Sequence, residues 1–232
     1  MRYYGSGANA QRIVITEFNP LLLNPQIFVI GEAGMTLVAG AIATWDDQTV
    51  NGFNFAQTNP AFRPVPTVIN ENIFATYNGV NNTLASGVLP ACNDFTAWAV
   101  YHDFGAAPSG EPIFDRQPAN GMRLERNQPV AGASWGWRIR NTSLYVALAG
   151  AGPHIIIGRR TGAVGDLWLD STTIVGSAAV SATALSALVS ALGNNSSSLS
   201  IGQFGFVDRA MTDVECARLV WYAGAKYKFA VT

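Results

Sequence analysis

Charge is scarce in this chain: only 12% of its residues are Asp, Glu, Lys or Arg, about half the usual share. With 49% hydrophobic residues beside it, that scarcity excludes disorder driven by charge. Fourteen basic residues against fifteen acidic ones leave a net charge of -1. The basic excess that a nucleic-acid or anionic-membrane binder needs is missing, so neither partner is expected. Cysteine and histidine are also rare, two of each. Cys92 and Cys216 lie far apart with no C-x-x-C spacing, which argues against a zinc site or a disulfide scaffold and leaves two buried thiols. No uninterrupted apolar run reaches about 18 residues, and MRYYGSGANAQR at the start has no apolar h-region. The expectation is a protein made and kept in the cytoplasm, or released by lysis, with neither a membrane span nor a secretory signal. P-loop, G-x-G-x-x-G and D-x-D-x-D-G patterns are absent, so no cofactor is expected.

Turn residues, by contrast, are plentiful. Gly contributes 23 positions and Pro 11, and short β-branched or aromatic runs recur between them. Candidate strands are 26–30, 36–45, 72–77, 95–101, 121–126, 135–140, 143–148, 154–158, 166–169 and 198–207, at spacings suited to a sandwich. In 95–101, FTAWAVY, both faces are apolar, as in a central strand. Thr212-Asp213-Val214-Glu215 is a T-x-x-E capping box, and Val214, Ala217 and Trp221 keep helical spacing after it. Residues 181–192 carry a second helical stripe, Leu185, Leu188 and Leu192, although 188–192 reads equally as a strand. Residues 1–20 are polar and aperiodic and read as an arm that docks. Residues 21–232 read as one domain, long enough to bury a sizeable core.

The order of these pieces resembles the concanavalin A-like lectin/glucanase superfamily, in its laminin-G-like jelly-roll branch. The resemblance rests on Trp45-Asp46-Asp47 followed by Asn51-Gly52, on NIFATYNGVNNTL at 72–84, and on FTAWAVY at 95–101. It rests also on 166–171 as an "L-Y-V-N-G"-like strand, and on Asp208, Arg209, Met211, Thr212 and Glu215 as the closing turn before a terminal helix. It spans roughly residues 27–228 and implies an all-β antiparallel sandwich with a short C-terminal helix. Domains of this nearly uncharged kind resemble those of tailed-phage virion proteins, such as decoration proteins, head fibres and tail parts. Fold alone does not carry function, since lectins, glycanases and adhesion modules share this architecture.

Chemistry is sparse. Glycanases of the superfamily carry E-x-D-x-E or E-x-D-x-x-E on one strand, and retaining hydrolysis needs two carboxyls about 5 Å apart. No such motif occurs, and Asp166 and Asp170 are four residues apart, about 13 Å along a strand. Gly132-Ala133-Ser134-Trp135-Gly136 matches the nucleophile elbow, but strand-like alternation follows where the elbow needs a helix, so Ser134 reads as a turn serine. His102 beside Asp103 leaves a triad open, although a strand-end histidine is usually structural. Oxygen donors at Asp46, Asp47, Asn81, Asn82, Asp94 and Asp103 form no recognisable calcium loop.

Two groups remain as candidate binding residues. Trp98, Trp135, Trp137 and Trp168 are candidates for sugar stacking, Trp168 between Asp166 and Asp170 the best of them, because an aromatic face accepts a pyranose while carboxylates bond its hydroxyls. The bland alternative is a set of core tryptophans. The other group is arginine: twelve against two Lys, with seven Arg facing only Glu125 between 116 and 160, a local balance of 7 - 1 = +6. Arg138, Arg140, Arg159 and Arg160 are therefore candidate interface residues for an acidic subunit or an anionic glycan, with an evenly solvated face as the alternative. The leading expectation is a non-enzymatic virion structural protein that contacts other virion proteins and forms a homo-oligomer. The alternative is a carbohydrate-binding adhesion module for a cell-surface glycan, and a glycan-degrading enzyme comes third.

Overall fold

A computed structural model describes residues 18–104, 111–116, 121–127, 134–139, 142–147, 150–193 and 199–232. In chain order the strands begin with β1 (Ile27–Ile30), β2 (Met35–Val38), β3 (Ala41–Trp45), β4 (Phe55–Ala56), β5 (Val65–Ile69) and β6 (Asn72–Thr76). Next come β7 (Leu84–Leu89), β8 (Phe95–Asp103), β9 (Glu111–Arg116), β10 (Met122–Asn127), β11 (Ser134–Ile139) and β12 (Thr142–Ala147). The last are β13 (Gly152–Thr161), β14 (Val164–Leu169), β15 (Gly176–Ala179), β16 (Leu188–Leu192) and β17 (Leu199–Val207), and the helix α1 (Asp213–Tyr227) closes the chain. Sheet A runs β15, β14, β13, β8, β17, β6, β5, with β1 also on β17, and sheet B runs β12, β11, β10, β9, β16, β7, β4, β3, β2. All paired strands are antiparallel, as in β8 against β13 and β17. The fold is the expected all-β sandwich with a C-terminal helix.

The central strands of sheet A are buried on both faces, and their sequence shows why. Phe95, Ala97, Ala99 and Tyr101 of β8 join Leu167, Phe204 and Phe206 in the core between the sheets. Trp98, Val100, Ile155, Ile157 and Trp168 point the other way into a second core beneath α1. A strand that fills two cores needs apolar residues at every position, which is the pattern of FTAWAVY. The α1 face requires close approach at Gly205, the cross-strand partner of Trp98. A Cβ there would lie 2.0 Å from the indole. Only glycine lets the ring lie on the strand.

Two expectations change and one open reading is decided. The run 36–45 is not one strand but the hairpin β2–β3, reversed at Ala39 and Gly40, both with positive φ (54° and 80°), the geometry of a tight hairpin turn. The stripe at 185–192, open between helix and strand, resolves as the strand: 188–192 is β16, paired to β7 and β9 in the middle of sheet B. Two unsatisfied strand edges there supply more hydrogen bonds than an isolated three-turn helix could keep. On α1 the expected stripe faces solvent, with Val214 60% and Trp221 52% exposed, while Cys216, Leu219, Val220, Ala223 and Tyr227 are buried. The helix carries two apolar stripes, and the broader one fits over Trp98 and Trp168.

The capping box forms as its sequence implies. Glu215 N–H donates to Thr212 Oγ1 (3.2 Å), Thr212 N–H donates to Glu215 Oε2 (2.7 Å), and both Nη atoms of Arg209 donate to the same carboxylate (2.7 and 2.9 Å). The Arg209 guanidinium holds the Glu215 carboxyl down at about 2, against an ordinary value of 4.5. A depressed carboxyl stabilises the fold above its unfolded value and loses that contribution as pH falls through its folded one. The melting midpoint is therefore expected to fall more steeply between about pH 4.5 and 2 in the native chain than in Glu215→Gln. Parallel thermal scans across that window check it.

Candidate functional site

Three of the four residues expected to bind sugar, Trp168, Trp98 and Asp166, are buried, and Asp170 is part-buried. Trp168 and Trp98 are fully buried beneath α1, and the Arg159 guanidinium lies 4.7 Å from the Trp168 ring centre. Neither indole can stack on a saccharide. Asp166 accepts from Arg159 Nη2 (2.7 Å) and from Ser177 Oγ (2.8 Å). Asp170 accepts from Ile155 N–H (2.8 Å) and pairs with His154 Nδ1 at 2.6 Å. The pattern Asp-x-Trp-x-Asp thus places Asp166 and Trp168 on the face of β14 towards α1 and Asp170 in the turn after the strand, and the buried indole offers no sugar platform.

Two of the expected interface arginines are struts. Arg159 also donates to Asp213 Oδ1 (2.7 Å) and Met211 O (2.8 Å), which ties β13 to the start of α1. Arg160 is wholly buried. It donates to Thr183 O (2.8 Å), Ser181 O (3.3 Å) and Cys92 O (3.5 Å), with its guanidinium 5.2 Å from the Phe95 ring centre. Arg116 does the same nearby, donating to Leu89 O (3.0 Å), Pro90 O (2.5 Å) and Ser186 O (2.8 Å). Burial lowers its pKa. Both side chains supply donors to backbone carbonyls, four of them (Pro90, Ser181, Thr183 and Ser186) in irregular segments between the strands. Arg140 lies outside the described residues. Of the three described, Arg138 is the one with an open side chain, 34% exposed.

Arg138 belongs to a polar cluster on the outer face of sheet B that sequence reasoning missed. Cross-strand register puts Ser143, Arg138, Arg123, Asp115, Ala191, Ala85, Ala56, Thr44 and Thr36 in one row across nine strands. Side chains on alternate positions share a face, and Met122, Leu124 and Trp137 of the same strands point into the core. Within the row Ser143, Ala85, Ala56 and Thr36 are exposed. The middle is a floor of alanines with a charged group at one end.

That group is tightly built. Arg123 Nη2 donates to Asp115 Oδ2 (2.9 Å), while its Nη1 lies 3.6 Å from Glu125 Oε2. The Tyr145 hydroxyl donates to Glu125 Oε1 at 2.5 Å, and Arg138 Nε stands 3.7 Å from the same oxygen. Tyr145 reaches Glu125 across the intervening strand because Gly136 is opposite both. A Cβ at 136 would meet the Tyr145 ring at 2.5 Å and Leu144 O at 2.0 Å. A glycine between two tryptophans, Trp135 and Trp137, was the one available signal. It marks a strand over which another side chain must lie.

Other candidates resolve into structure. Asp47 accepts from the N–H groups of Phe28, Thr49 and Phe53 and from Thr49 Oγ1, so the Trp45-Asp46-Asp47 motif organises a loop. Ser134 opens β11, and β12 follows where a nucleophile elbow needs a helix. His154, paired with Asp170, meets the Tyr101 ring at 5.6 Å. Among the described residues no group of three or more His, Cys, Asp or Glu is placed to hold a metal ion.

No protein-family model matches this chain, and no curated protein matches it. Solved structures do match in fold. A sialidase of Trypanosoma rangeli is 12% identical with a TM-score of 0.59, covering 86% of this chain and 32% of that one. The receptor-binding domain of botulinum neurotoxin D is 9% identical with a TM-score of 0.61, covering 84% and 52%. A pentraxin of Limulus polyphemus is 12% identical with a TM-score of 0.50, covering 65% and 82%. The chain thus spans about a third of the sialidase and about half of the toxin domain. The neighbours are jelly-roll, lectin-like sandwiches, consistent with a concanavalin A-like fold.

Proposed function

We propose that this chain is a non-catalytic saccharide-binding module of the lectin type, which presents the outer face of sheet B to a glycan. The observation that carries the reading is an asymmetry between the sheets. The central strands of sheet A have their outer face covered by α1, whereas the outer row of sheet B carries alanines in its middle, Ala85 and Ala56 exposed, beside a pre-assembled Asp–Arg–Glu–Tyr cluster. A flat floor of small side chains with fixed polar groups at one edge suits a ligand rich in hydroxyls. Catalysis fits the cluster poorly. A glycosidase needs one carboxyl free to protonate the leaving oxygen and a second free to attack or to activate water. Here Asp115 and Glu125 are already engaged by Arg123 and Tyr145.

The test is a glycan array followed by titration calorimetry. Ala85→Arg, at an exposed floor position, is expected to abolish binding with an unchanged melting midpoint. Binding by Ala85→Arg at native affinity, or no binding by the native chain, sinks the reading. Release of reducing ends from a bound polysaccharide would restore the enzymatic alternative.

A second reading is a structural component of a virion, of the laminin-G-like kind the sequence resembles. Val214 and Trp221, seven residues apart on α1, favour it, since both are more than half exposed on one helix face. The virion part rests on the sequence resemblance alone. A stable oligomer by light scattering, unaffected by saccharides, would favour docking over glycan recognition.

A further inference from the structure

The structure assigns the cluster on sheet B, in addition, a ligand class: a carboxylated saccharide, such as a uronic or sialic acid, gripped by the guanidinium of Arg138. The inference rests on the saccharide reading above and narrows it. Its basis is the order in which the charges are buried. Side-chain exposure rises from Glu125 at 3% and Asp115 at 6%, through Arg123 at 22%, to Arg138 at 34%. The two carboxylates lie at the bottom and the two guanidiniums above them. A cluster with no net charge therefore shows an approaching ligand its positive layer first.

The two arginines are not equivalent. Arg123 is spent on bridging the carboxylates. Arg138 approaches Glu125 through Nε, at 3.7 Å, and among the described residues its Nη1 and Nη2 have no hydrogen-bond partner. A planar fork with parallel donors matches a carboxylate in a bidentate pair, which is stronger and more directional than a bond to a neutral hydroxyl. Two-thirds of the side chain is already covered by neighbours, so part of its desolvation cost is met before the ligand arrives, unlike that of a free surface arginine. Glu125, held by Tyr145 across Gly136, keeps the guanidinium oriented from below. Ser143, the exposed cross-strand partner of Arg138, offers a hydroxyl beside it for a neighbouring sugar hydroxyl.

The discriminating probes differ only in charge: oligogalacturonate against its fully methyl-esterified form, and sialyllactose against lactose. By calorimetry, the native chain is expected to bind at least one acidic member about tenfold more tightly than its neutral counterpart, the scale of one charge-assisted hydrogen bond. Arg138→Gln should erase that preference while the melting midpoint stays unchanged. Arg138→Lys, which keeps the charge and loses the fork, should retain only part of it. Neutral sugars bound as tightly as acidic ones, or a preference surviving Arg138→Gln, overturns the inference and leaves the saccharide reading standing. Binding of none of the four probes, nor of any glycan on the array, removes both.

Discussion

Arg160→Ala is expected to cost about 3–5 kcal/mol of folding free energy, the range for stripping one partner from a buried charged contact. The side chain is wholly buried, and its Nη atoms satisfy the carbonyls of Thr183, Ser181 and Cys92. Removing it strips the charged donor from the carbonyls of Thr183 and Ser181, while Cys92 O keeps the Leu185 N–H at 2.8 Å, and each lost hydrogen bond to a charged group costs about 1.5–3 kcal/mol. Arg160→Met, similar in volume and without donors, should recover little, because the loss is in hydrogen bonds more than in packing. Arg138→Ala, on the surface of the same charged region of sequence, should change stability by less than about 0.5 kcal/mol. Urea unfolding of the three variants checks the contrast. Equal, small shifts for Arg160→Ala and Arg138→Ala would mean that the carbonyl clamp is unimportant.

That contrast also shows where reading charge along the chain fails. Seven arginines between 116 and 160 suggest a basic face. In three dimensions Arg116 and Arg160 turn into the interior, Arg159 meets Asp166 and Asp213, and Arg123 meets Asp115 and Glu125. Three of those four acids lie outside the window, at 115, 166 and 213, brought back by sheet pairing and by the helix. Periodicity fared better wherever it was set by burial on two faces. FTAWAVY in β8 and the Thr212–Glu215 box were legible because local pattern and tertiary role agree. The strands β5, β7 and β9 were not. Short, Pro- or Gly-containing runs such as VPTVI, LASGVL and EPIFDR become strands only because neighbouring edges demand partners.

The cluster on sheet B was illegible for a related reason. Asp115, Glu125, Arg138 and Tyr145 come from four different strands and share no sequence motif. Their meeting depends on register: a slip of one residue in β10 would send Glu125 into the core and Leu124 outward. Sequence could place Arg138 on a strand with alternating polarity. It could not supply the Tyr145 hydroxyl or the carboxylate floor beneath.

Trp168→Ala is expected to destabilise the protein by about 3–5 kcal/mol, the usual cost of truncating a buried tryptophan, and to leave saccharide affinity unchanged in the folded fraction. The indole sits in the core between sheet A and α1, together with Trp98, Ile155, Ile157, Leu219 and Val220. Its loss opens a cavity that those neighbours only partly fill. Arg159 suffers as well, since its guanidinium lies over the ring while bridging Asp166 to Asp213. Trp168→Phe should cost much less, because the ring face survives and the buried indole N–H, which has no acceptor, is removed. Calorimetric melting gives the stability of both variants, and saccharide titration at a temperature where each is folded gives the affinity. A stable Trp168→Ala that has lost its ligand would reinstate the indole as the platform. It would also contradict a ligand seated on sheet B, because a residue sealed beneath α1 on sheet A touches no part of that face.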